Sequence, residues 1–500
     1  MLAFAVLFAS SFFQPQDIVK DFKKFFKKER DPLMRIELVY SLEGEESVVL
    51  AETLLPLLED KDVKVIEAAR KVLSGFKDSR SRSPLLETIV EGKKLKRIAE
   101  ILRLANDNIW KEYHHACLDY LVSSDQKCLL WAISLSGTLR NHQAIPLLVN
   151  IFEENKNGII RTSVIDALHS LGVGYEKEVV PILLKGLSDS QTSVQVASCR
   201  ALRTVRSKDA IEPLIDLLDK GKGRVMDEIW PTLVEITDNQ FNDNPDVWRD
   251  WWAVLHDDYE IPTVAQISKR RSERAAANSE YRSAKTEATF MGVETSSRQI
   301  VFVIDVSGSM AEEIIDKDGF RERGFSEFTK LAVVREELTR SIEALGEDVF
   351  FNVFSFASNV YSWKKKSVKA NALNKRSAIA WVKKLTPMGA SNIKGENGRT
   401  NSYGGLMAGL GVEIDPKKRK VVTGGLLNDS PFVADTIFFL SDGKPTAGLY
   451  IDNRDIEQAI QEINKFRKVV IHTLAIGNFT SGLLQNLASQ NGGVFVDLGR

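Results

Sequence analysis

The chain has 500 residues, 43% hydrophobic and 27% charged, with 14 prolines, so it is globular and too long for one ordinary core; roughly two to four domains are expected. A formal net charge of −1 supplies no overall field for tracking phosphates, which excludes a nucleic-acid role resting on bulk charge. Three cysteines, Cys117, Cys128 and Cys199, cannot form a disulfide framework, and their apolar surroundings read as buried free thiols.

The sequence opens MLAFAVLFASSFFQPQ. The apolar run 2–8 is long enough for the core of a signal peptide and too short to span a bilayer, and Ala9, Ser10 and Ser11 suit cleavage. No basic residue follows Met1, so a buried N-terminal helix competes with that reading. With residues 1–13 as a signal peptide, the protein is exported to the periplasm, the cell envelope or the medium; otherwise it is cytoplasmic. No cysteine follows the run to carry a lipid anchor, and no later segment reads as a transmembrane span.

From 17 to 237 the pattern is helical. Ile18, Phe22, Phe25 and Phe26 recur at helical spacing with lysines on the other face. A proline followed by an aliphatic pair returns at Pro56, Pro84, Pro146, Pro181 and Pro213, at intervals of 28, 62, 35 and 32 residues. That is a solenoid period, with the interval of 62 holding two units. In LLPLLEDKDVKVIEAARKVL one helix ends near Glu59, Asp60 and Asp62 make the turn, and Val65, Ala68, Ala69 and Leu73 begin the facing helix. Residues 179–202 repeat this with Ser188, Asp189 and Ser190 as the turn. Small residues such as Ala68 and Ala197 let the paired helices approach closely.

These units resemble HEAT repeats, expected over 14–243 in about six copies. Such a solenoid has no chemistry of its own and offers a long curved surface for a protein partner. His114, His115 and Cys117 do not read as a metal site, because adjacent histidines on a helix diverge by about 100° and no second pair lies nearby. In 244–258, Trp248, Trp251 and Trp252 share one helical face and read as an aromatic cap on the last unit. The basic run ISKRRSERAAANSEYRSAKTE falls in a linker, 259–297, as a helix or a flexible tether; without interleaved aromatics it does not read as a nucleic-acid arm.

From Gln299 the period changes. Runs at 299–305, 349–356, 435–441, 469–476 and 494–497 are short, β-branched and aromatic. Helical segments alternate with them at 327–345, 375–385, 403–410, 456–466 and 482–490. Strands apolar on both faces and alternating with helices make an α/β doubly wound, Rossmann-like domain, here 298–500, following the all-α solenoid. Ligands gather at the carboxyl ends of such strands. Asp305, Ser307 and Ser309 close the first strand, Asp442 follows the strand DTIFFLS, and Thr400 and Asn401 precede a helix between them. An all-oxygen set of this kind suits a hard cation, Mg²⁺ first, with Mn²⁺ or Ca²⁺ able to substitute.

The stretches IVFVIDVSGSM, RTNSYGGL and FLSDGKPTAG, in that order, resemble a von Willebrand factor A domain with a metal-ion-dependent adhesion site. The resemblance implies that Asp305, Ser307, Ser309, Thr400 and Asp442 surround Mg²⁺ and that an acidic group of a protein partner completes the shell. The family often has Gly-Gly-Thr-Asn in the second loop, and Ser391-Asn392 also approaches that pattern here; Thr400 is preferred because Tyr403, Gly404, Gly405 and Leu406 open the next helix.

The expected function is therefore a non-enzymatic interaction or scaffold protein, of a kind resembling bacterial envelope proteins. Two rivals remain. One is an adaptor or subunit of an AAA-ATPase machine, which requires a cytoplasmic chain. The other is a metal-dependent hydrolase, for which Lys444 alone stands near the loops as a candidate base. Asp316, Lys317, Asp318 and Gly319 form only a fragment of a calcium-loop pattern, and His472 reads as a satisfied core histidine.

Overall fold

A computed structural model describes residues 15–275, 288–290, 293–388, 398–415, 420–423, 427, 434–477 and 482–498. The fold is multidomain: an all-helical N-terminal part precedes a mostly parallel sheet flanked by helices. The chain gathers into two compact units, one built on the helices up to Leu147, the other on the remaining helices together with that sheet. The N-terminal run 1–13 lies outside the described residues. Among the described residues no helix is long and apolar enough to cross a membrane.

In the first unit the turn expected after Glu59 is present. A 3₁₀ helix, Leu55–Glu59, ends at Asp60, and Asp62 caps the helix Val63–Ser74 by accepting from Lys64 N at 2.9 Å. Val65, Ala68, Ala69, Val72 and Leu73 bury one face of that helix. Within this unit arginines pair with acidic residues of neighbouring helices and turns: Arg35 with Asp60 at 2.7 Å, Arg97 with Glu59 at 2.9 Å and Arg82 with Glu112 at 2.6 Å.

The long interval between Pro84 and Pro146 has a structural cause. The stretch that would supply a further proline-led helix instead forms two 3₁₀ turns, Lys111–Tyr113 and Leu118–Tyr120, with Trp110, Tyr113 and Tyr120 buried. His114 and His115 therefore sit in an irregular turn, not on a helix. Among the described residues no group of three or more His, Cys, Asp or Glu side chains gathers to hold a metal.

The second unit continues the repeats with Gly158–Leu171, Glu176–Leu187 and Thr192–Val205. Asp189, in the expected turn, takes Arg161 on both carboxylate oxygens at 2.7 and 2.8 Å. The helix Pro245–Leu255 buries Trp248 and Trp252, and Trp251 meets Phe241 and Tyr259 edge to face. The first part of the basic linker is a helix, Val264–Ala275, and Arg271 and Arg270 reach Glu235 and Asp238 of the last repeat at 3.0 and 3.7 Å. Residues 276–287 lie outside the described residues.

The sheet contains β1 (Gln299–Asp305), β2 (Phe350–Phe356), β3 (Val360–Ser362), β4 (Val368–Lys369), β5 (Thr436–Ser441), β6 (Val470–Ala475) and β7 (Phe495–Asp497). Their order is β7-β6-β5-β1-β2-β3, with β4 also on β2. All pairs are parallel except those of β3 and β4 with β2. β5 is buried along its whole length and β1 from Ile300 on, and Phe302 stacks on Phe438 at 5.6 Å within that core. From β1 the chain moves to β2 on one side and later returns to β5 on the other. In open α/β sheets the ligand crevice lies at such a reversal, here at the carboxyl ends of β1 and β5.

The opposite end of the sheet meets the helical repeats of the same unit. Asp435, just before β5, is buried and accepts from Ser297 Oγ and, at 3.3 Å, from Gln299 N. Burial pushes its carboxyl up to about 6, although Ser297 and the buried Arg224, from the loop before the helix Met226–Thr237, pull the other way. Ser296 Oγ donates to Asp227 of that helix at 2.9 Å. The repeats of this unit thus contact the amino ends of the strands.

Candidate functional site

The residues singled out at the crevice come from three loops, and hydrogen bonds stitch those loops together in pairs. Asp305 ends β1 and is fully buried; its Oδ1 accepts from Ser307 N at 2.8 Å, and its Oδ2 accepts from Ser441 Oγ, at the end of β5, at 2.6 Å. Ser307 Oγ lies 3.2 Å from Ser309 Oγ, which donates to Asp442 Oδ1 at 2.8 Å. The first and third loops are joined through the side chains that the sequence picked out.

The second loop enters through its backbone. Gly308 N donates to Gly398 O at 3.0 Å, and Thr400 O accepts from Thr446 N at 2.8 Å while Thr400 N donates to Thr446 Oγ1 at 2.9 Å. Thr400 is buried, and Asn401 caps the helix Ser402–Gly409 by accepting from Gly404 N at 2.9 Å. Ser391, the competing second-loop residue, lies outside the described residues. That helix presses against the sheet through glycine: a Cβ on Gly405 would stand 2.8 Å from Phe356 Cδ1 and 3.2 Å from Val303 Cγ1.

Two buried carboxylates in one crevice repel. Burial first, and the Asp442 charge second, push the Asp305 carboxyl up to about 6, against the hydrogen bonds from Ser441 and Ser307. Asp442 has a cationic neighbour that the sequence reading missed. Lys330 Nζ donates to Asp442 Oδ2 at 2.8 Å and to Glu312 Oε2 at 2.7 Å. Burial alone would lower the Lys330 pKa, but these two carboxylates hold it above the usual lysine value. Its only sequence clue is position, as a lysine opening the apolar helix start Leu331-Ala332-Val333-Val334. Ser441 and Thr446 were inside the quoted third-loop stretch, but their partners could not be read there.

The donor set passes a chemical test for a hard cation. It offers carboxylate and hydroxyl oxygens, has neither sulfur nor imidazole, and concentrates negative charge where water is largely excluded. Lys444, the residue nominated as a base, is exposed.

Residues 298–397 and 412–497 match the family model of the von Willebrand factor type A domain. Inter-alpha-trypsin inhibitor heavy chain H3 of Mesocricetus auratus is 25% identical over 209 residues, 41% of this chain and 19% of that protein. Heavy chain H1 of Sus scrofa is 28% identical over 153 residues, 31% of this chain and 13% of that protein. The match therefore spans less than a fifth of these curated relatives. A solved structure described as von Willebrand factor type A from Catenulispora acidiphila is 16% identical, with a TM-score of 0.28, covering 41% of this chain and 39% of that one.

Proposed function

We propose that this chain, which carries a von Willebrand factor type A domain in residues 298–497, is a non-enzymatic interaction protein that engages an acidic group of a protein partner through a divalent cation, Mg²⁺ first. Asp305, Ser307, Ser309, Thr400 and Asp442 would hold the ion. The observation that carries this reading is the Ser309–Asp442 hydrogen bond at 2.8 Å, which puts the first-loop hydroxyls and the third-loop carboxylate in one cluster at the strand reversal.

Each residue has a role the geometry supports. Asp305 and Asp442 supply the charge, and their orientations are fixed by Ser441 and by Lys330. The Ser307 and Ser309 hydroxyls are neutral oxygens that rotate to suit an ion or each other. Thr400 enters by the second loop, anchored by Thr446. When bound, the ion supplies a Lewis-acidic point at which a carboxylate from outside docks with defined geometry. The helical repeats supply a second surface, without chemistry, for another protein.

The test is calorimetric titration of the full-length chain with MgCl₂. One binding event is expected, abolished in Asp305→Ala and Asp442→Ala. Absence of any binding by the folded wild type would refute the reading. Partner capture should then depend on both Mg²⁺ and an intact Asp305, and capture that survives EDTA and Asp305→Ala would move the search to the repeats.

A further inference from the structure

Lys330 is placed with more care than a surface lysine needs. It is the first residue of the helix Lys330–Ala344, whose cap Thr329 accepts from Ala332 N at 3.2 Å. Its own N–H donates to Glu312 O at 2.8 Å, which fixes the start of the side chain. The aliphatic stem then crosses Gly477, whose φ is +98°; a Cβ there would stand 2.7 Å from Lys330 Cε. The glycine leaves the room through which the ammonium reaches Asp442. The Lys330 side chain is 9% exposed, and that of Asp442 is fully buried. Glu312, the other partner, is 66% exposed, so water screens its charge.

Charge counting gives this placement a consequence. Asp305 and Asp442 with Lys330 carry one net negative charge in the buried cluster. A divalent cation turns that into one net positive charge, and an incoming carboxylate brings it to zero. With a neutral residue at 330, the loaded site would already be neutral and would attract an anion less.

We infer that Lys330 is a specificity-determining residue: a fixed cation that weakens the hold on the metal alone and makes the loaded site demand an anionic ligand. The inference rests on the cation reading of the site. Metal and acidic partner then bind as a coupled pair, each raising the affinity for the other. The two oxygens of Asp442 divide the work, with Oδ1 toward the Ser309 hydroxyl and Oδ2 on the lysine.

The experiment titrates full-length wild type, Lys330→Met and Lys330→Arg with MgCl₂, with and without excess sodium acetate at matched ionic strength. Lys330→Met should bind Mg²⁺ roughly tenfold tighter than wild type in the absence of acetate. Acetate should raise the Mg²⁺ affinity of wild type and Lys330→Arg at least threefold, and that of Lys330→Met much less. Equal Mg²⁺ affinities in wild type and Lys330→Met overturn the inference while leaving the cation site standing. An arginine variant that behaves like the methionine variant also overturns it. If Lys330→Met does not fold, the acetate effect on wild type decides, and its absence overturns the inference. No Mg²⁺ binding by folded wild type overturns both this inference and the reading beneath it.

Discussion

Lys468 Nζ lies 2.9 Å from Asp166 Oδ2, an ion pair between residues 302 positions apart. Lys468 closes the helix Asn453–Arg467 in a left-handed conformation, φ 56°, with its N–H on Asn464 O. Glycine or asparagine is the usual residue there, because a Cβ is strained at positive φ. A lysine in that position reaches from the α/β domain to the repeat helix Gly158–Leu171. Lys468→Ala keeps the strain and loses the pair, so a loss of about 1 kcal/mol is expected; Lys468→Gly should fall within about 0.5 kcal/mol of wild type. A cycle with Asp166→Ala, read by urea melts, should give a coupling of about 0.5–1 kcal/mol. No measurable coupling would mean that the contact holds nothing together.

Gly405 is where the helix of the second loop comes closest to the sheet. Adding one methyl group in Gly405→Ala presses on Phe356 and Val303, both in the packed interior. Overpacking of this kind costs about 1–3 kcal/mol, and the better helix propensity of alanine returns about 1 kcal/mol. The net expectation is a loss of stability, with a lower urea midpoint and an unchanged slope. A midpoint at or above wild type would show that the helix lifts freely from the strands.

His472 on β6 stacks on Phe438 at 4.9 Å, and its Nδ1 accepts from Val494 N at 3.0 Å. That bond fixes the neutral ring with its proton on Nε2. Burial first, and the Arg224 charge second, hold its pKa down at about 4. A histidine with a depressed folded pKa adds stability above its unfolded value near 6.5, which is lost as pH falls toward 4. Wild type should therefore lose up to about 1.4 kcal/mol per pH unit relative to His472→Gln across that window. NMR titration should show the ring neutral at pH 5.5, roughly a unit below the free histidine pKa. A ring titrating near 6.5 would contradict the packing described.

Cys117, Cys128 and Cys199 are all buried and free. Burial pushes the Cys128 and Cys199 thiols up to about 12 and raises that of Cys117 as well, so none is a thiolate at neutral pH. A disulfide-exchange reagent should label none of them in the native chain and all three in guanidinium. Rapid labelling of any one would show that the structure around it opens locally.

Much of the architecture was written along the chain. Strands buried on both faces need continuous apolar runs, so β1, β2, β5 and β6 were legible within a residue or two. The edge strands β3 and β4 were not, because Val360–Ser362 and Val368–Lys369 are short and flank a run of lysines. Lysines on an edge discourage further pairing and erase the apolar pattern a reader looks for. The turn at Lys111–Tyr113 was hidden for a related reason: its buried aromatics fit a helix as well as a 3₁₀ turn.

The candidate site divides in the same way. Asp305, Ser307 and Ser309 lie within five residues, and Asp442 sits at a strand end, so local spacing was enough to group them. Lys330 and Asp442 are 112 residues apart, and nothing local marks either as the other's partner. The same holds for Arg224 beside Asp435 and Lys468 beside Asp166. Sequence by itself determined the elements, their alternation and the short motifs, because periodic burial and local hydrogen bonding act over a few residues. Only the tertiary structure decided which charges face each other, because a buried ion pair depends on where distant elements pack and how much water they exclude.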